Sequence, residues 1–148
     1  MLPTYIEYFQ SLHTSKMRGQ VAPHKPILLL SVIDLIERGI IVSNKIQLTE
    51  SLERQFLHNW KKYVGESDVF RPKVGTPYWH LNSEPFWRLV PFSGGEEKIR
   101  LLQQGNPYSP NTLRMHIAYA EIDAELFEQM KEQNSRARLR VTLIKNYL

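Results

Sequence analysis

The stretch PILLLSVIDLI, residues 26–36, is apolar on nearly every side and decides the fold. Only Ser31 and Asp34 interrupt it, so a helix formed here has almost no face to turn toward water. A helix that is apolar all round packs at the centre of a core. Pro26 suits the first turn of such a helix, and Gly39 suits the position just after its end. We therefore expect a central core helix that begins at Pro26 and is ended by Gly39.

Shorter helices and a small sheet are predicted around this helix. Apolar spacing and capping residues predict helices over 4–13, from Thr49 to about Tyr63, from Ser109-Pro110 to about Tyr119, from Asp123 to about Gln133, and from a cap at Ser135 onward. Loops are predicted over 14–22, 66–77 and 93–110, the last with a short strand or helical turn at 98–102.

Strands are predicted in two places. Residues 40–48 are rich in β-branched side chains and contain a short predicted strand. The segments PYWHL (77–81) and PFWRL (85–89) predict a β-hairpin with Trp79 and Trp87 on its packed face and Tyr78 and His80 on the other. The expected fold is mainly α with a small antiparallel β-sheet, an α+β class, in a single compact helical domain over residues 1–148.

Composition limits the classes of protein to which the chain can belong. Its 148 residues suit one domain, and the absence of cysteine excludes disulfides and cysteine-bearing zinc sites. The longest apolar stretch, 27–33, is far shorter than the roughly 20 residues needed to span a bilayer. No basic segment precedes an apolar one at the start, so we expect no signal peptide, no membrane and a cytoplasmic protein.

The charge is unevenly distributed. Lys and Arg number 19 against 15 Asp and Glu, a net charge of +4. Residues 1–30 carry three basic groups against one acidic group, and residues 54–75 carry five against two. This pattern is compatible with a polyanionic partner, although ordinary charged helix faces produce it too.

Catalytic patterns are weak. The five histidines show no metal-ligand spacing, and neither a nucleophile elbow nor a glycine-rich phosphate loop is present, so we expect no metal site and no cofactor. One alternative remains: Asp68, Glu96 and Lys98 could hold Mg²⁺ and activate water for phosphodiester hydrolysis. That chemistry needs the Glu-x-Lys triplet on a buried strand, whereas here it follows Ser93-Gly94-Gly95 in a polar segment.

An anion-binding site is better supported. Arg18, His24 and Lys25 precede Pro26, and a helix N-terminus presents free N–H groups and the positive end of its dipole. Solvated loop charges remain the alternative explanation.

Two further segments suit nucleic acid. Residues 71–80 combine basic groups, beginning with Arg71, with aromatics and Pro, a combination typical of nucleic-acid binding, although the tryptophans suit a core equally well. Gln103, Gln104 and Asn106 carry side-chain amides that can read adenine edges.

A family resemblance spans nearly the whole chain. The segments APHKPILLL (22–30), PYWHL (77–81), FWRL (86–89), IDAELF (122–127) and LIKNY (143–147) resemble the sulfur-binding domain of McrA-like type IV, modification-dependent HNH restriction endonucleases. The resemblance implies recognition of double-stranded DNA whose backbone carries sulfur in place of one non-bridging phosphate oxygen.

The resemblance also implies which residues bind the modified DNA. An apolar cup for the sulfur falls on Pro77, with Thr76, Tyr78 and His80 around it. Many relatives have Tyr where this chain has Thr76, and a small residue where it has His80. The family's basic pair for flanking phosphates falls on His24 and Lys25. Together with the residues singled out above, the expected phosphate-binding set is Arg18, His24, Lys25 and Arg71, and the expected base-reading set is Gln103, Gln104 and Asn106. The family places an HNH nuclease domain after this domain, and the chain ends at Leu148 without room for one.

Three hypotheses follow. The first is a non-catalytic module that recognises phosphorothioated double-stranded DNA, as part of or partner to an HNH restriction endonuclease. The second is a magnesium-dependent nuclease that uses Asp68, Glu96 and Lys98. The third is a structural or protein-interaction domain without a role in nucleic-acid binding.

Overall fold

The computed structural model describes residues 1–105 and 107–148. Within these residues the chain has a mainly helical α+β fold, as the sequence predicts. The helices are α1 (Leu2–Gln10), α2 (His24–Glu37), α3 (Glu50–Tyr63), α4 (Gly75–His80), α5 (Gly95–Gln104), α6 (Pro110–His116), α7 (Ala124–Lys131) and α8 (Gln133–Tyr147). The strands are β1 (Lys16–Met17), β2 (Gln20–Val21), β3 (Lys45–Ile46), β4 (Trp87–Pro91) and β5 (Ile117–Ile122).

Helix α2 is the centre of the core, which confirms the prediction for residues 26–36. Nearly all its side chains are buried, and α3, α4, α7 and α8 pack around it. It begins at His24 rather than at Pro26. The N–H groups of a first helical turn have no partner within the helix, so proline, which lacks an N–H, is tolerated at any position of that turn. Gly39 follows the helix with a φ of +74°, a conformation that favours glycine.

The larger sheet is antiparallel, in the order β3-β5-β4. Trp87 of β4 pairs with Ile122, and Ile46 of β3 pairs with Ala120. The prediction that a helix continues to about Tyr119 is therefore wrong, because α6 ends at His116 and the central strand begins at Ile117. The predicted short strand within 40–48 is confirmed as β3.

The predicted hairpin is half correct. Its second strand is present as β4, whereas its first, PYWHL, forms helix α4 followed by a 3₁₀ turn over Leu81–Ser83. Tyr78 and Trp79 are consecutive and both are buried, an arrangement that differs from the predicted hairpin, in which only one face is packed. Packing on both sides of this segment outweighs the strand preference of its aromatic residues.

Other boundaries follow from capping. Thr49 caps α3 as predicted, accepting a hydrogen bond from the Leu52 N–H at 3.1 Å. The last helix is capped by Glu132 rather than Ser135, because the Glu132 carboxylate accepts from the N–H groups of Asn134 and Ser135. Helix α7 begins after Asp123 as predicted.

Two predicted loops contain regular structure. Residues 14–22 include the two-stranded sheet β1-β2, and residues 93–110 include helix α5 in place of a short strand or single turn. Within the described part of the chain, no helix combines the length and apolar character needed to cross a membrane.

Candidate functional site

A cavity of about 290 Å³ opens between the start of α2, the base of the β1-β2 hairpin and one side of α4. It brings together five of the predicted site residues from two distant parts of the chain, namely His24, Lys25, Thr76, Pro77 and His80. The remaining lining comes from residues 13–15, Ala22 and Ser83, and no Asp or Glu is among the described residues that line the cavity. A cavity of this size suits a small group better than a drug-sized ligand, for which about 300–1,000 Å³ is usual.

Helix α4 explains which of the predicted sulfur-binding residues meet. Residues three and four apart share a helix face, so Thr76, Pro77 and His80 lie together on the cavity side. Tyr78 lies on the opposite side, 1% exposed, and its hydroxyl donates to the Ile46 carbonyl at 2.6 Å. The placement of Tyr78 in the sulfur cup therefore needs correction. The helix turns this residue into the core, where it joins α4 to β3.

Lys25 is buried beneath the cavity rather than extended into it. Its ammonium donates to the carbonyl of His13 at 2.6 Å, to the Ser83 hydroxyl at 3.1 Å and to the Glu84 carboxylate at 2.8 Å. Glu84 is 5% exposed and also accepts from the His13 N–H at 2.8 Å. Three acceptors thus take the three ammonium donors, and one of these acceptors neutralises the charge. Lys25 and Glu84 together tie the α1–β1 loop, α2 and the 3₁₀ turn into one wall.

His24 joins the cavity to α3 and to the loop before α4. Its ring packs 4.8 Å from that of Trp60 and 5.8 Å from that of Phe70, measured between centroids. The Nε2–H group donates to the Arg71 carbonyl at 2.7 Å, so Nδ1 is the proton-free nitrogen of the neutral ring. Burial lowers the pKa of His24, outweighing that hydrogen bond, and the nearby Lys73 charge lowers it further.

His80 forms the other side of the cavity from α4. Burial lowers its pKa, and the positive charge of Lys25 lowers it further. Its ring packs 4.9 Å from the ring of Tyr108, which also contacts Trp79. At neutral pH the cavity wall therefore carries neutral imidazoles from His24 and His80 over a neutralised Lys25–Glu84 pair.

Arg18 and Arg71 lie outside the cavity. Arg18 is exposed at the turn of the β1-β2 hairpin, with a φ of +52° followed by Gly19 at +78°. The hairpin projects from the cavity rim, because Ser15 and Ala22 at its base are joined by a 2.8 Å hydrogen bond and both line the cavity. Arg71 is exposed, and its guanidinium donates to the Ser67 carbonyl at 2.8 Å.

Two of the three predicted base-reading residues, Gln103 and Gln104, are exposed and are not part of the cavity lining. Gln103 and Gln104 end α5, and Gln103 lines a separate cleft beside Arg88. Asn106 lies outside the described residues. The loop that contains it returns to α4 at Tyr108, which is the packing partner of His80.

The three residues of the nuclease hypothesis do not line a common cleft. Glu96 lies in the first turn of α5 and lines the cleft beside Arg88, whereas Asp68 lines clefts beside α3 and Tyr147. Lys98 follows Glu96 on the same helix, which is not a buried strand. Among the described residues, no group of three or more His, Asp or Glu is placed to hold a metal ion.

Two lining residues, and the carboxylate beneath the wall that pairs with Lys25, carry no signal in the sequence. His13, Ser83 and Glu84 are ordinary loop residues by type, and only the three-dimensional structure places them around Lys25. Comparison with known proteins does not add to this geometry, since no protein-family model and no curated protein matches the chain.

Proposed function

We propose that this chain recognises double-stranded DNA carrying a phosphorothioate, with the sulfur held against Pro77. The observation that carries the proposal is the cavity itself. It places a proline ring, neutral imidazoles and hydroxyl groups around a space for one small group, in a wall whose described residues include no Asp or Glu. The same residues carry the resemblance to the sulfur-binding domain of McrA-like restriction endonucleases.

The wall suits sulfur better than oxygen. Sulfur is more polarisable and less strongly hydrated than oxygen, so it loses less free energy on leaving water for apolar contact. Pro77 and the Ala22 methyl group supply such contact in the cavity. A strongly cationic wall would favour the harder oxygen, whereas burial of His24 and His80 favours their neutral forms.

Affinity for the DNA backbone then comes from outside the cavity. Arg18 at the tip of the β1-β2 hairpin and Arg71 in the loop before α4 are exposed cations near its rim. Contacts of cations with phosphate position a protein on DNA but do not identify the modification. In this proposal Arg18 and Arg71 provide affinity for the DNA backbone, and Pro77 provides discrimination between modified and unmodified DNA. Lys25 takes a supporting role in place of direct phosphate contact.

The biological setting is part of the same proposal. The chain would act in the cytoplasm as the recognition module of a type IV restriction system, with cleavage by an HNH nuclease domain. Gln103, Gln104 and Asn106 remain the proposed base-reading residues, close in sequence to the loop that reaches His80.

A pair of matched variants tests the proposal. Glutamate is favoured in the first turn of a helix, and Pro77→Glu places a carboxylate at a buried position of the cavity wall, so binding is measured on protein shown to be folded by circular dichroism. We expect loss of binding to modified duplex in a gel shift. Val141→Glu on α8, where the side chain is 60% exposed, adds the same charge elsewhere and should bind normally. Normal binding by Pro77→Glu, or equal loss in both variants, would contradict the proposal.

A further inference from the structure

Tyr108 lies outside the cavity lining and contacts the wall through His80. Its ring lies 4.9 Å from the His80 ring at an interplanar angle of 48°, and 6.4 Å from the ring of Trp79. His80 lies on a short helix, and its side chain is only partly covered by the rest of the protein. Without a neighbour to pack against, such a side chain would sample several rotamers.

The backbone of Tyr108 is also held against α4. A Cβ atom added at Gly75 would lie 1.8 Å from the Tyr108 carbonyl oxygen and 2.8 Å from its carbonyl carbon. Both are backbone atoms, so no side-chain rotation can make room. Gly75 is therefore required for close approach of the α5–α6 loop to the first turn of α4.

Helix α6, which follows Tyr108 in the chain, is held in place by the rest of the fold. It begins two residues after Tyr108, and its Arg114 donates to the Leu48 carbonyl at 2.7 Å and to the Glu53 carboxylate at 3.1 Å. The buried Leu113 packs in the core. Tyr108 thus lies between a fixed helix and the end of α4 that carries His80.

We infer that Tyr108 is a positioning residue that holds His80 in the cavity wall opposite the β1-β2 hairpin, so that discrimination between modified and unmodified DNA depends on it. This inference rests on the proposed function. It assigns a role to a residue that neither the sequence pattern nor the cavity lining identifies. It also makes Tyr108, in the described part of the α5–α6 loop, part of the same recognition unit.

The ring and the hydroxyl of Tyr108 can be tested separately. Tyr108→Phe keeps the ring packing and should retain the wild-type ratio of affinities for modified and unmodified duplexes. Tyr108→Ala should lower that ratio about fivefold or more, with affinity for unmodified duplex nearly unchanged, since residues in contact couple at this level. An unchanged ratio in a folded Tyr108→Ala protein would overturn the inference.

A double variant shows whether Tyr108 acts through His80. If it does, Tyr108→Ala has little further effect on the ratio in a His80→Ala background. An equal decrease of the affinity ratio by Tyr108→Ala in the wild-type and the His80→Ala backgrounds would overturn the inference. Should Tyr108→Ala fail to fold, Tyr108→Leu removes the aromatic ring while keeping an apolar side chain and serves as the test variant with the same expected outcome.

NMR titration of His80 gives a readout independent of DNA. Removal of the Tyr108 ring exposes His80, so Tyr108→Ala should raise the pKa of His80 toward its ordinary value, and Tyr108→Phe should not. An unchanged pKa of His80 in Tyr108→Ala would contradict the contact between the two rings. A wild-type chain that binds both duplexes equally would instead contradict the proposed function, and these two failures are distinguishable.

Discussion

The ammonium nitrogen of Lys25 lies 2.8 Å from a carboxylate oxygen of Glu84, and both side chains are almost completely buried. The pair joins the first turn of α2 to the residue that follows the 3₁₀ turn after α4. Hydrogen bonds to His13 and Ser83 satisfy the remaining donors and bring the α1–β1 loop into the same cluster. The cavity wall is therefore built on an ion pair whose charge is already compensated within the protein.

Breaking this pair should destabilise the fold. Lys25→Met leaves the Glu84 carboxylate buried without its counter-charge, and Glu84→Gln does the same to Lys25. Each should lower the free energy of unfolding by about 3–5 kcal/mol, measured by urea denaturation. The double variant Lys25→Met, Glu84→Leu removes both charges and should recover much of that loss. Little change in either single variant would contradict the role given to the pair.

Tyr78 should prove structural. Tyr78→Phe removes the hydrogen bond that the Tyr78 hydroxyl donates to the Ile46 carbonyl. We expect a loss of about 0.5–1.5 kcal/mol in the free energy of unfolding, with affinity for modified duplex unchanged once the protein is folded. A selective loss of binding to modified duplex, without a change in stability, would return Tyr78 to the sulfur cup.

Stability should fall in mild acid. Burial lowers the pKa values of His24 and His80 below the ordinary value of 6.5, so below that pH the unfolded chain binds more protons than the folded chain. The free energy of unfolding therefore decreases as the pH falls through this window. Urea denaturation between about pH 7.5 and pH 5.5 measures the slope, which should be smaller in the double variant His24→Gln, His80→Gln. A stability that stays level or rises toward acid would contradict the burial of these imidazoles.

Discrimination should weaken over the same pH range. Protonated His24 and His80 place positive charge in the cavity and attract any backbone oxyanion, so unmodified duplex should gain relatively more affinity. The dissociation constant for unmodified duplex divided by that for modified duplex should thus decrease as the pH falls below 6.5, the ordinary histidine pKa. A fluorescence-anisotropy titration of both duplexes at matched ionic strength measures it. A ratio that increases toward acid would show that the imidazolium forms favour sulfur.

The central helix could be predicted because its signal is local. Residues 26–36 offer no polar face, and Gly39 marks the end of the helix, so burial follows from the sequence alone. Strand β5 could not be predicted in this way. Its sequence, IAYAEI (117–122), contains two alanines and a glutamate, which favour helix, and its conformation is set by pairing with β3 and β4.

The candidate site was partly predictable for a similar reason. His24, Thr76, Pro77 and His80 belong to segments that suggest binding by their own composition. The strand prediction would have placed Pro77 and His80 on opposite faces, and the helical turn places them on one. Glu84 and Tyr108 were not predictable, because their importance depends on contacts with Lys25, 59 residues earlier, and with His80 on another helix.

The most direct test of sulfur recognition is a comparison of two duplexes of one sequence, with and without a single phosphorothioate, bound to the wild-type chain over a range of salt concentrations. In the proposed function Arg18 and Arg71 contact the backbone of both duplexes, so we expect both affinities to fall with salt at the same slope. Contact of sulfur with Pro77 is not ionic, so the modified duplex should bind about tenfold or more tightly, a difference of about 1.4 kcal/mol, at every salt concentration. Equal affinities, or an advantage that disappears as salt rises, would contradict the account.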